Sequence, residues 1–384
     1  MKYSIAILDG QSVQALIFAK TLSKLGHNVI LFCDSKYSYG YNSRYAFKKI
    51  VCPSTETDEE GFNTFFIDYI DNHVLDVVIP MNDYSAKYLS KNKYLLNDKT
   101  NFIIPDYSIF KRGYDKNKLM DLCKEMNIPH PNTIDLSKNF DLNCISYPAI
   151  IKPNLTSGAR GFKIVHNALE FKKYVNPIID EFGDCHLQEY IPPGGKQYKV
   201  QLLRVQSKII ASTVIEKIRF YPIAGGSSCF NKTINDARLE KLCLTVLEKL
   251  DWGGFADFDL IEDPRTNEVL IMEINPRVPA CIKVSVLSNI NFPILILESS
   301  LGNTAFTEQK YIPNKYLRFL SLDILWLFSH RFNLTKLRQF LNQFGSKDHH
   351  YQELDLSDLK SFIVGSFGMV SKIFNADFMN KKNI

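Results

Sequence analysis

The stretch GFADFDLIEDPRTNEVLIMEINPR, residues 254–277, constrains the fold more than any other part of the chain. Its first half, Phe255–Ile261, alternates apolar and acidic side chains, the period of a strand with two unlike faces. Its second half, Glu268–Ile274, stays apolar until Glu273, and Glu262–Asn267 supplies the Pro and Asn of a reversal between them. The spacing predicts an antiparallel hairpin with Asp257 and Asp259 on one face. Asp257 and Glu273 are then expected to face each other across the ladder, where like charges repel unless a cation lies between them. Asn275 and Arg277 follow Glu273 with the same parity. Oxygen donors beside a guanidinium suit Mg2+ and phosphate. Solvated acids on an exposed hairpin are the plainer alternative, because Asp and Glu are common on strand faces.

The chain opens with a short apolar strand at Ile5–Leu8, a turn at Asp9–Ser12, a helix over Val13–Leu25 and a second strand at Val29–Cys33. This βαβ order begins a doubly wound sheet. Gly-x-Gly-x-x-Gly is absent from residues 9–14, which removes the dinucleotide reading that such an opening invites. A helix at Phe62–Asn72 precedes a buried strand at Leu75–Pro80. Asn82 and Asp83 follow its carboxyl end, where open α/β sheets bind ligands; capping of the helix from Tyr84 is the alternative. A further strand is expected at Phe102–Pro105, and a helix at Ser108–Met126.

The central segment predicts a strand ending in Lys152, then the loop NLTSGARG (154–161), whose glycines let backbone N–H groups turn toward phosphate oxygens. A helix over 168–182 leads to a strand at Cys185–Ile191, broken by Pro192–Gly195. Strands follow at Tyr198–Leu203 and Lys208–Glu216. Lys217 and Arg219 are expected to share a strand face before the Gly225-Gly226 loop, either as anion contacts or as a charged edge strand. Ile234–Leu250 has helical spacing, as has the apolar run from Val284 to about Leu301. Tyr316–Phe328 is apolar and aromatic with Arg318 and Asp323 embedded, too short and too charged to span a membrane. That run offers a surface for docking on the central domain, for a homodimer or for a membrane interface.

A length of 384 residues accommodates two or three domains. The net charge of +5 is spread along the chain, so no nucleic-acid stripe emerges and nucleic acid is not expected as a partner. Eight cysteines without a Cys-x-x-Cys pair read as buried, reduced thiols. The N-terminus does not read as a signal peptide, and the expected location is cytoplasmic, without stable membrane insertion. The histidines are scattered and form no catalytic triad or metal cluster with their neighbours.

Three motifs carry a resemblance: Met272-Glu-Ile-Asn-Pro-Arg277, Ile150-Ile-Lys-Pro153 with its glycine loop, and Asp115-Lys116 followed by Asn127-Ile-Pro-His-Pro131. Over roughly residues 1–300 the chain resembles the ATP-grasp superfamily, in its carboxylate–amine ligase branch related to the carbamoyl phosphate synthase large chain. The resemblance implies an α/β fold: a Rossmann-like pre-ATP-grasp domain (1–107), then an ATP-grasp domain of α+β character with antiparallel sheets (108–303), then a mainly helical extension (304–384). Within the middle domain it implies a nucleotide lid at about 145–192 and a metal-binding core at about 193–303. It implies ATP and two Mg2+ ions, with Mn2+ a possible substitute, and metal ligation by Asp257, Glu273 and Asn275, Asp259 being the alternative to Asp257. Phosphate contacts fall on Lys116 (Lys118 if the register shifts by two), Lys152 and the lid residues Thr156, Ser157, Gly158, Arg160 and Gly161. The nucleotide edge falls on Gln188, Glu189, Tyr190 and Ile191, and catalytic charge on Arg277, Lys217 and Arg219. Lys196-Gln197 departs from the Glu with which many members bind ribose. The implied reaction is ATP-dependent ligation of a carboxylate to an amine through an acyl phosphate, releasing ADP and phosphate. A bicarbonate-using enzyme of the biotin carboxylase or carbamoyl-phosphate type and a catalytically silent ATP-binding regulatory protein are the alternatives.

Overall fold

The structure, a computed structural model, describes residues 1–138, 146–155, 161–223, 227–306, 309–330, 333–342 and 344–373. Strands β1 (Ser4–Ile7), β2 (Asn28–Cys33), β3 (Lys48–Val51) and β4 (Val77–Ile79) form a parallel sheet in the order β3-β2-β1-β4. The helices Gln14–Lys24 and Glu59–Asn72 connect them, as the βαβ pattern predicts. Parallel neighbours need such crossovers, and their strands become buried on both sides; Ile5, Ile7, Val77 and Ile79 accordingly lie in the core.

Phe102–Pro105 does not become a strand. The sheet is met just before it, by a bridge from Val77 to Asn101. Lys93 Nζ takes the carbonyl of Ile104 (3.0 Å) and Ser90 Oγ takes that of Pro105 (2.8 Å), so side chains use the acceptors a ladder would need. Pro105 has no N–H to offer in return. The expected helix over Ser108–Met126 is likewise two helices, Tyr107–Tyr114 and Lys116–Glu125. Asp115 interrupts it, its carboxylate accepting from the backbone N–H of Asn117 (3.1 Å) and Lys118 (3.2 Å) as an N-cap.

A second, antiparallel sheet contains β5 (Thr133–Asp135), β6 (Ala149–Pro153), β7 (Lys163–Val165) and β8 (Cys185–Glu189), in the order β5-β8-β6-β7. With the helix Ala168–Phe182 it encloses a small core of its own, including Ile151, Val165, Phe171 and Leu187. β5 brings residues ahead of position 145 into this unit.

The third sheet orders β13-β12-β9-β10-β11-β14-β15. Its members are β9 (Gln197–Val205), β10 (Lys208–Tyr221), β11 (Ser227–Ile234), β12 (Gly254–Glu262), β13 (Val269–Asn275), β14 (Tyr316–Arg318) and β15 (His349–Tyr351). The C-terminal extension is therefore not purely helical: β14 and β15 extend the sheet, beside helices Leu320–Ser329, Leu334–Leu341 and Leu359–Ile373. The apolar run after Arg277 is also two helices, Ile282–Leu287 and Phe292–Ser300, separated by Asn289 with φ of 77°. Leu203, Phe255 and Val278 share one continuous core with Ile5, Ile7 and Ile79, which fixes the third sheet against the first. Gly254 makes that approach possible: a Cβ there would lie 3.0 Å from the carbonyl oxygen of Ile103.

Candidate active site

The hairpin forms as the sequence predicts, but its register differs. Asp259 pairs with Glu273 and Asp257 with Asn275, so the expected Asp257–Glu273 opposition is corrected by two residues of register. A bulge after Asp259 accompanies this register, and Asn267 closes the turn with a left-handed φ of 60°. The neighbouring β9 pairs Lys199 with Asp259 and Gln201 with Asp257. Cross-strand partners share a face, so Lys199 is brought to the acidic pair.

Lys199 is the residue sequence reasoning missed. Its Nζ lies 2.6 Å from Asp257 Oδ2 and 2.9 Å from Asp259 Oδ2. Lys217 on β10 reaches Asp259 Oδ1 at 2.5 Å. Burial opposes the charged form of Lys199, but the two carboxylates outweigh it and raise its pKa. Burial would also raise Asp259, yet Lys199 and Lys217 hold it well below the usual carboxylate range. Asp257, completely buried, is pushed up by burial despite Lys199. The only trace of Lys199 in the sequence is a charge between Tyr198 and Val200, in a strand that also carries Gln201 and Arg204.

Lys116 and Lys152 converge on the same region from different elements. Lys116 opens the helix capped by Asp115; its backbone N–H donates to the carbonyl of Asn154 (3.3 Å) and its Nζ lies 3.4 Å from Glu273 Oε2. Lys118, the alternative, is exposed. Lys152 on β6 donates to Gln188 Oε1 at 2.5 Å. Burial pulls its ammonium down to about 8, an effect partly offset by Glu273 and reinforced by Lys116. Directly across the ladder from Lys152 stands His186, fully buried, with Nδ1 2.7 Å from Asn154 Oδ1. Burial, then Lys152 and Lys116, pull the imidazole down to about 3. His186 was not singled out from the sequence, where nothing distinguished it from the other histidines.

Of the expected nucleotide edge, Gln188 is buried and engaged by Lys152, and Ile191 is buried. Glu189 turns its carboxylate to Arg265 (2.5 Å) on the hairpin turn while its N–H donates to Asn132 O (2.8 Å); Tyr190 is half-buried. Gly161 adopts φ of 72°, and a Cβ there would meet the Phe182 ring at 2.7 Å, so glycine is required. Thr156, Ser157, Gly158 and Arg160 lie outside the described residues, as do Gly225 and Gly226.

Arg277 lies 3.3 Å through Nε from Asp83 Oδ1 and donates through Nη2 to Asn275 Oδ1 at 3.4 Å. Asp83 comes from the first sheet's carboxyl edge, whereas Asn82 caps the following helix, accepting from Ser85 N at 2.8 Å. Arg219 does not join Lys217. A register irregularity between them breaks the expected shared face. Arg219 instead grips Asp323 through Nε and Nη2, both at 2.7 Å, and lies over the rings of Phe230 and Trp326. Arg318 shares that buried carboxylate at 2.9 Å.

The donor set can be tested against a divalent cation on geometry alone. The Glu273 side chain is 32% exposed, and Asn275, two residues further on the same strand and buried, has its Oδ1 toward Arg277. These hard oxygens fit Mg2+. Asp257 has 0% exposure and its Oδ2 is engaged by Lys199. Among the described residues the cysteines are unpaired, and no helix is long and apolar enough to cross a membrane.

Known proteins match the same region. The model of the ATP-grasp domain matches residues 114–281. D-aspartate ligase from Enterococcus faecium is 23% identical over 64% of this chain and 64% of its own length. The carbamoyl phosphate synthase large chain from Campylobacter jejuni is 22% identical over 68% of this chain and 25% of its own. The chain thus spans less than two thirds of either curated relative. Among solved structures, a biotin carboxylase–nucleotide complex from Campylobacter jejuni superposes with a TM-score of 0.67 at 16% identity, covering 82% of this chain and 74% of that one. The segment that matches the ATP-grasp domain contains Lys116, Lys152 and the whole hairpin from Gly254 to Arg277.

Proposed function

We propose that the protein is an ADP-forming ligase that activates a carboxylate with ATP and joins it to an amine. The observation that carries this reading is the meeting of Lys116 with Glu273 at 3.4 Å, because it sets a phosphate-binding cation against a metal-binding acid from a different element. Every reacting group in such a transfer is anionic, so the chemistry needs neutralisation and positioning more than a protein nucleophile. Lys116 and Lys152 would hold the nucleotide phosphates, and Arg277, steadied by Asp83, would face the transferred phosphoryl group and the tetrahedral oxyanion that follows. Glu273 and Asn275 would hold Mg2+, which when bound neutralises phosphate charge. The largely buried Lys217–Asp259 contact gives Lys217 a role in fixing the acidic strand.

The domain reading accompanies this: residues 1–107 as substrate-side domain, 108–303 as ATP-grasp domain with its lid at about 145–192 and core at about 193–303, and 304–384 as extension. The relation to a D-aspartate ligase favours an amino acid among the substrates. ATP as a substrate and unpaired thiols fit a cytoplasmic setting.

The test is phosphate release from MgATP against a panel of amino acids and small carboxylates, singly and paired with amines. Release with one carboxylate–amine pair is expected. Release driven by bicarbonate would replace this reading with the carboxylase type, and tight ATP binding without release under any pairing would favour a regulatory protein.

A further inference from the structure

We propose that the Lys199 ammonium permanently holds the position a second divalent cation would take, so that the site binds one such ion per nucleotide, on Glu273 and Asn275. The inference rests on the ATP-dependent reading above. Its basis is the bridge that Lys199 Nζ makes between Asp257 Oδ2 (2.6 Å) and Asp259 Oδ2 (2.9 Å). Two carboxylates brought together on adjacent positions of one strand face repel unless a positive charge lies between them. A lysine ammonium is a compact point charge with several donors, and it meets that need from the neighbouring strand.

Three further observations keep an ion out of this place. Lys217 occupies the other oxygen of Asp259 at 2.5 Å, and Arg277 stands 4.0 Å from Asp257, so Lys199, Lys217 and Arg277 already outnumber the two carboxylates. The Lys199 side chain is only 13% exposed, and an ion displacing it would strand a buried ammonium without its counter-charge. Asp257 Oδ1 has no donor among the described residues, but its side chain is sealed from solvent. Glu273 differs in kind. Its side chain is 32% exposed, and Asn275 Oδ1, two residues on along the same strand, accepts among the described residues the long bond from Arg277. An ion carried in by the nucleotide therefore finds these two oxygens and no further open pair.

The test counts Mn2+ by the loss of its free electron paramagnetic resonance signal, using the full chain saturated with a non-hydrolysable ATP analogue. One ion per chain is expected for the native protein and for Lys199→Arg, and two for Lys199→Gln, which uncovers the acidic pair. Two ions on the native protein would overturn the inference while leaving the ATP reading standing. One ion on a Lys199→Gln protein that still binds the analogue would also overturn it. The native count stands by itself if Lys199→Gln fails to fold. Failure of the native chain to bind the analogue would overturn the ATP reading, and this inference with it.

Discussion

Asp259 stands opposite Glu273 across the hairpin ladder, and Asp257 opposite Asn275. This two-residue difference of register separates two acids that look equivalent in sequence. Asp259 lies at the edge of the site, between Lys199 and Lys217, with Asn275 Nδ2 donating to it at 3.0 Å. Asp257 is sealed beneath Lys199. Glu273 is then the acid whose charge a nucleotide-bound cation can meet.

Glu273→Gln should therefore abolish turnover while leaving the fold intact. Losing the ion's main ligand forfeits several kcal/mol of transition-state stabilisation, or at least about a hundredfold in kcat. Because the Glu273 side chain is partly exposed and its ion pair with Lys116 is long, unfolding free energy should change by less than about 1 kcal/mol. Steady-state ADP release and urea denaturation on the same preparation check both halves. Unchanged turnover would remove Glu273 from metal binding.

Arg219→Ala should do the reverse. Its guanidinium is one of two cations on the buried Asp323 carboxylate, and it also stacks on Phe230 and Trp326. Truncation breaks a buried ion pair and is expected to cost about 3 kcal/mol of stability. Nucleotide affinity, measured by calorimetry under conditions where the variant is folded, should stay within about twofold, since Arg219 is engaged by Asp323, Phe230 and Trp326. A stable but inactive Arg219→Ala protein would return this residue to the catalytic set.

The contrast between Glu273 and Arg219 marks what the sequence could convey. Period-two alternation located β12, an apolar run ending at Glu273 located β13, and the lysine before Pro153 located β6, because those signals are local. The partner of each side chain depends on register and on bulges, which local periodicity does not encode. The irregularity between Lys217 and Arg219 sent two basic residues two apart to different places. Lys199 went unnoticed because its partners lie 58 and 60 residues further along the chain. Phe102–Pro105 has the composition of a strand, but its carbonyls are taken by Ser90 and Lys93, contacts made only in the folded chain.

His186 gives the protein an acid-sensitive element behind Lys152. Its imidazole is fully buried, and burial together with Lys152 and Lys116 pulls it from an ordinary 6.5 to about 3. Below pH 6.5 the unfolded chain takes up a proton that the folded chain refuses, so the stability contributed by the neutral ring is complete above pH 6.5. It declines as pH falls from there toward 3, at up to about 1.4 kcal/mol per pH unit. His186→Gln keeps a neutral hydrogen-bonding side chain toward Asn154 while removing the titration. The variant should lose some stability at pH 8 through imperfect packing, yet show a shallower decline between pH 6.5 and 5 than the native protein. Melting temperature against pH for the two proteins measures this difference. Parallel curves over that window would mean that His186 is protonated in the folded state and that its ring is not held neutral by burial, Lys152 and Lys116.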